Sequence, residues 1–482
     1  MRFAAIACML AGCAGNEPLE VPPLLDPPSL AENASVVRVE LVQGAPVALM
    51  DQGEALPGAR PIVAGRPGLL RVYLSDDGRP RADLADVVLT WTTAEGAVTR
   101  TVEDVVVVDS DAADLDSTIN FELSGDEVQP GVRWSVGVYE TRAERARTGD
   151  HERPDARFPR PGQADVPLPT SPLQPELDVY VVPFVYTADG SDRRPDVSAE
   201  RLQTLRDQIY KMYPVRDVRL TLVDEQRTDV EITASEGLGD LLEDLAAWRV
   251  AEGLPEGTYA YGLVQPAPSF EAFCSGGCTL GLSYLVRNPS ADGLRASVGT
   301  AFDGYAEETM VHELGHAHGR RHSPCGNVGN PDDEYPHAGA RLGGPGWDVL
   351  DGELIDADEN RDFMSYCSPR WVSDYQFAAL YEQFLAVDGV FRLAPQQPTD
   401  QWVIALRPGQ APRLRAVRPT LDSPGEPVPI EVLDPSGAVI GTTIGQRHAF
   451  GHGGGATLHV PDEGGAGLRL PGGQILWRES AE

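Results

Sequence analysis

The sequence predicts a multidomain protein in which a mixed α/β domain, built on a twisted sheet, is flanked on each side by a β-sandwich-like domain. Three observations lead there. Before residue 150, short runs rich in β-branched and aromatic residues recur, separated by turn residues. From 177 to 392 such runs alternate with amphipathic helical patterns, and beyond Phe391 short strands return alone. A length of 482 residues suits about three domains of ordinary size, and 41% hydrophobic residues can supply their cores.

The chain begins MRFAAIACMLAGCAGNEP. Arg2, the apolar run 3–10 and the small residues after it have the pattern of a secretory leader over 1–12, too short to span a bilayer as a stable helix. LAGC at 10–13 resembles the lipobox of bacterial lipoproteins. That resemblance implies cleavage before Cys13 and a lipid on Cys13. Such proteins are usually held at the inner membrane by an Asp in the next position. Ala14 stands there, which implies export to the outer membrane or cell surface. Residues 13–35 are proline-rich and aperiodic, so an extended tether is expected. No later segment is apolar for long enough to cross a membrane, which leaves the lipid as the only expected membrane contact.

The runs VVRVELV (36–42), LLRVYL (69–74), VVLTWTT (87–93), VEDVVVV (102–108), TINFEL (118–123) and WSVGVY (134–139) predict the first sandwich, over 36–150. The proline-rich stretch that follows, 151–176, has the composition of an interdomain linker. In the domain over 177–392, LDVYVVPFVY (177–186) reads as a buried strand. SAERLQTLRDQIYKMY (198–213) sets Leu202, Leu205, Ile209 and Met212 on one helical face. VRLTLV (218–223) is a strand and LGDLLEDLAAWRVAEG (238–253) a helix. TYAYGLV (258–264), GLSYLV (281–286) and RASVGTAF (295–302) are further strands. WVIAL, VPIEVL, ATLHV and QILW predict the last β domain, over 393–482.

With 73 acidic and 39 basic residues the net charge is −34, and Lys211 is the single lysine. Such a surface repels nucleic acid and anionic lipid heads; its reading is solubility, and no nucleic-acid partner is expected.

The chemistry is concentrated in HELGHAHGRRH, 312–322, which holds four of the nine histidines. A helix is expected from about 305 to 319. His312 and His316, four apart, share a face and can aim two imidazoles at one point, with Glu313 beside it. Gly319 can end the helix at positive φ and turn His322 back as a third ligand. Three nitrogens with one open position is the catalytic form of zinc, and Glu313 is placed as a general base. His318 falls on another face and reads as a packing or surface residue. His337, in EYPHAG, reads as a loop histidine. DADENRD (356–362) lacks the glycine and bidentate glutamate of a calcium loop and reads as a solvated loop. CSGGC (274–278), in an exported chain, reads as a small disulfide loop between Cys274 and Cys278 and not as a metal knuckle.

Together His312, Glu313, His316, Gly319 and His322 resemble the signature of the metzincin zinc metallopeptidases. That family has a methionine turn under the metal, and RDFMSYC (361–367) supplies it with Met364. Tyr366 stands where astacins and serralysins place a tyrosine on the zinc or the oxyanion. Ser323 after the third histidine is instead a matrixin feature, so no single branch fits fully. HELGHAHG and DFMSYCSPRWVSDYQF, with the flanking β domains, are similar to bacterial secreted metallopeptidases of the StcE mucinase type and their lipoprotein relatives. The similarity covers about 177–390 and is specific only around the two motifs. It implies a zinc endopeptidase acting on extracellular proteins or glycoproteins, with Glu313 as base and Tyr366 as oxyanion donor. It implies substrate binding by strand addition to an edge strand, for which GLSYLV is the candidate. It also implies that Cys325 pairs with Cys367, because each lies three residues from a group held at the metal site. Cys274 with Cys278 is then the other pair, in one of the three pairings open to four cysteines. A reading from another class is a catalytically inactive surface binding protein that works through its β domains. Against it stands the presence of every ligand and the base.

Overall fold

The computed structural model describes residues 29–56, 62–76, 84–141, 153–390 and 397–478. The expected leader, Cys13 and most of the tether lie outside the described residues. Among the described residues no helix is long and apolar enough to cross a membrane.

The N-terminal domain has two antiparallel sheets. Along the strand Leu84–Thr93 every second residue, from Ala85 to Trp91, is buried, as a half-buried pleat requires. Trp91 and Trp134 fill the core between the sheets. The stretch expected as a linker is largely built into this domain. Phe158 pairs opposite Val136 and Val166 opposite Trp134, and Ala156, Phe158 and Leu168 are core residues. Proline is tolerated at a sheet edge, so a proline-rich composition did not prevent pairing. Leu30 and Ala31, at the end of the expected tether, are also in this core.

The central domain is a sheet between helical layers. Its strand order is Asp217–Leu222, Glu176–Tyr186, Tyr259–Val264, Ala296–Thr300, Gly281–Ser283. The first four are parallel, and Gly281–Ser283 is an antiparallel edge. Helix α1 (Ala199–Met212) starts at Ser198, whose hydroxyl accepts from the Arg201 amide, and buries Leu205, Ile209 and Met212. With α3 (Ala306–Ala317) and α4 (Asp374–Val390) it packs on one face of the sheet. Helix α2 (Leu238–Ala251) covers the other face through Leu238, Leu241, Leu242 and Leu245.

The C-terminal domain differs from the expected sandwich. Its seven strands form one continuous antiparallel sheet. Its core is Trp402, Ile404, Ile430, Val432 and Leu458. Both flanking domains are fastened to the central one. Fully buried Arg66 donates to the carbonyls of Val215 (3.0 Å) and Lys211 (3.1 Å), and Trp371 Nε1 donates to Gly44 O at 2.8 Å. On the other side, Arg407 and Arg415 meet Asp240 and buried Glu243 of α2, and Arg415 also meets Asp244.

Candidate metal centre

Helix α3 ends where Gly319 turns to φ +78°, and its missing side chain matters twice over. Positive φ is strained for other residues, and a Cβ there would come within 2.8 Å of the Val286 carbonyl. The turn brings His322 back against His316, with their Nε2 atoms 3.2 Å apart. His312, His316 and His322 are each buried. Each also has its Nδ1 on a backbone carbonyl: Phe363 at 2.9 Å, Arg320 at 2.7 Å and Gly329 at 2.6 Å. A carbonyl only accepts, so each Nδ1 carries the proton and each Nε2 presents a lone pair. Two lone pairs facing each other at 3.2 Å repel unless a cation lies between them. Burial first, then the neighbouring imidazoles, pushes His312 and His316 well below the ordinary histidine pKa and His322 down to about 4. Neutral imidazoles with carbonyl-fixed tautomers are the state a divalent metal needs, so this donor set fits a metal ion.

Glu313 lies beside this point with its backbone on α3. Gly281 of the edge strand packs on it so closely that a Cβ there would sit 2.6 Å from Glu313 Cγ. Its Oε2 makes no hydrogen bond among the described residues. Beneath the histidines, Met364 is fully buried and its Sδ lies under Gly315, where a Cβ would come within 2.4 Å of it. The chain after His322 is laced to this turn. Ser323 N donates to Met364 O at 3.0 Å, Tyr366 N to Cys325 O at 3.0 Å, and Cys325 is bonded to Cys367. Tyr366 is 41% exposed, but its hydroxyl points into the site. Partial burial, and then the charge of Glu313, raise its pKa, which keeps it a proton donor.

Asp362 is a correction. It belongs to the stretch read as a solvated loop, yet it is fully buried. Its carboxylate accepts from Ser323 Oγ (2.7 Å), Met364 N (2.9 Å) and Ser373 N (3.0 Å), joining the third histidine's segment, the methionine turn and the start of α4. The other secondary readings are placed as follows. His318 is buried, with its ring 4.3 Å from Tyr259 and its Nδ1 on Leu314 O. His337 is 2.6 Å from Asp374 Oδ1, away from the cluster. Cys274 is bonded to Cys278.

The residue that sequence reasoning missed is His452, at the tip between the C-terminal strands Val439–Ala449 and Ala456–Pro461. Its ring centre is 5.1, 4.8 and 4.7 Å from those of His312, His316 and His322. One nitrogen from each of the four lies within 4.8 Å of the others. His452 Nε2 is 2.9 Å from Glu313 Oε1, and Tyr366 Oη is 2.5 Å from His452 Nδ1. The sequence did hold a signal: three of the nine histidines fall in HAFGHGGGATLH, and the glycines around His452 bare the backbone for close approach.

No protein-family model matches the chain, and no curated protein matches it. Among solved structures it is similar to metalloproteinase-II from Bacteroides fragilis, at 12% identity and a TM-score of 0.25, over 67% of this chain and 92% of that one. A TM-score that low establishes neither a shared fold nor a shared activity, so it is the four convergent imidazoles that make this a candidate metal centre.

Proposed function

We propose that the protein is a zinc-dependent endopeptidase of the metzincin type, hydrolysing peptide bonds of extracellular proteins or glycoproteins. One observation carries this reading. Three imidazoles spend their Nδ1 protons on backbone carbonyls and turn their Nε2 lone pairs to one point beside the Glu313 carboxylate. Zinc bound there would acidify a coordinated water and polarise the scissile carbonyl. Glu313 takes the proton of the attacking water and passes it to the leaving amine. Tyr366 donates to the oxyanion, and its raised pKa keeps the proton on it for that purpose. A cavity of about 470 Å³, bounded by Gly281, Thr309, Glu313, Tyr366, Arg370 and His452, runs along the sheet edge and is where a substrate strand would add. A leader and a lipid on Cys13 would hold this activity at the cell surface, and the net charge of −34 disfavours nucleic-acid substrates.

Glu313→Ala tests the reading. The variant is expected to keep its bound zinc by metal analysis and its thermal transition, and to lose hydrolysis of a peptide library by at least about 10²-fold. A chelator should abolish hydrolysis by the unaltered chain. Turnover by Glu313→Ala at the normal rate would end the proposal.

A further inference from the structure

The edge strand that should receive a substrate is partly taken by the protein itself. Tyr284 bridges Phe450 in antiparallel fashion, with Leu285 N donating to Ala449 O at 2.9 Å and Gly451 N to Ser283 O at 2.8 Å. From there the chain runs directly over the histidines. Gly451 lies so close that a Cβ would meet the His316 ring at 2.4 Å. His452 follows and engages both groups that the reaction needs: Glu313 through Nε2 and Tyr366 through Nδ1. The 470 Å³ cavity and a second one of about 750 Å³, reaching Leu282, Arg407 and Phe450, both have His452 in their lining. A peptide passing from one to the other would meet His452 at the reaction point.

We propose that His452 is the fourth protein ligand of the metal held by His312, His316 and His322, so that the C-terminal domain closes the site in a four-histidine form. This rests on the peptidase reading for its consequence, not for its geometry. The ring centre of His452 is nearly equidistant from those of the other three, which is where a fourth ligand caps a triangle. In the tautomer with its proton on Nδ1, His452 donates to Tyr366 Oη at 2.5 Å and presents the Nε2 lone pair for coordination, with no net loss of a proton. A metal with four protein ligands has no position left for the water that Glu313 would activate. Four protein ligands are the closed form of a zinc site and three are the open one. The Phe450–Gly451 segment, paired to the edge strand, blocks the path of a substrate strand in the same stroke.

The experiment is X-ray absorption at the zinc edge on the whole chain and on His452→Ala, with casein hydrolysis measured on both. The expected result is four imidazoles in the unaltered chain, and three imidazoles with a solvent oxygen in the variant. Hydrolysis should rise at least tenfold in the variant. The first measurement needs no variant, and His452 sits at a glycine-rich tip, so the comparison does not hinge on refolding a core. Three imidazoles and solvent in both proteins would overturn the assignment. Loss of hydrolysis in His452→Ala would overturn the closure and make His452 a working group of an open site. A change from four to three imidazoles with no hydrolysis by either protein would support the ligand assignment and defeat the peptidase reading.

Discussion

His452 Nε2 stands 2.9 Å from Glu313 Oε1, although 139 residues separate the two in the chain. One belongs to a loop of the C-terminal domain and the other to the helix that carries His312 and His316. The centre is therefore shared between domains, and each domain's stability bears on it.

Under the peptidase reading proposed above, Tyr366→Phe removes one donor to the oxyanion without removing bulk. Such a loss costs about 10²–10³-fold in kcat, with KM little changed. Steady-state kinetics against the same parent chain measures it. An unchanged kcat would remove Tyr366 from the reaction.

Asp362→Ala leaves the Ser323 hydroxyl and two buried amides without their acceptor. The expected destabilisation is on the order of 3–5 kcal/mol in urea unfolding. Retention of zinc after dialysis should fall with it, because the segment next to His322 and the methionine turn share this carboxylate. Stability unchanged within about 0.5 kcal/mol would show that the buried carboxylate joins nothing.

Glu243→Ala tests the attachment of the C-terminal domain. Glu243 is fully buried and meets Arg407 (2.9 Å), Arg415 (3.2 Å) and Thr457 Oγ1 (2.8 Å). Removing it takes one carboxylate from Arg407 and Arg415, which keep Asp240 and Asp244, and takes an acceptor from the Thr457 hydroxyl, at a cost of about 1–3 kcal/mol. The expected outcome is faster proteolytic cleavage after α4 and, under the closure proposed above, a rise in basal hydrolysis. Cleavage at the parent rate would count against the latch.

Acid should weaken the C-terminal domain. Burial lowers the His448 pKa to about 4 and sets His459 well below the ordinary range, and the rings meet edge to face with centres 4.9 Å apart. In the unfolded chain these groups take protons near the usual value of about 6.5, so the unfolded state binds more protons as pH falls below it. Stability contributed by His448 is whole above about 6.5 and declines down to about 4, by roughly 1.4 kcal/mol per pH unit at most. Urea midpoints from pH 7 to 4.5 measure the slope. His448→Gln should flatten it by about one proton, and an identical slope would refute the assignment.

The parts of this molecule legible in its sequence are those set by near neighbours. Four-residue spacing put His312 and His316 on one face, and glycine's freedom at 319 returned His322 beside them. Single strands were legible for the same reason. What pairs with what was not. The proline-rich stretch around Phe158 and Val166 reads as a linker until Arg133–Glu140 is beside it. The C-terminal strands do not say whether they close one sheet or two. Asp362 looks like a solvated acid because its three donors come from Ser323, Met364 and Ser373, and His452 looks idle because its partners lie in another domain.

Protein chains are made from the N-terminus at about 5–20 residues per second. His312, His316 and His322 therefore exist for roughly ten seconds before His452, about 130 residues further on, has been synthesised. During that interval the three imidazoles are without the residue that stands over them in the complete chain. The C-terminal domain, made last, is the part that comes to lie over them. The order of the residues along the chain is thus also an order of synthesis, in which the three clustered histidines precede the residue proposed to close over them.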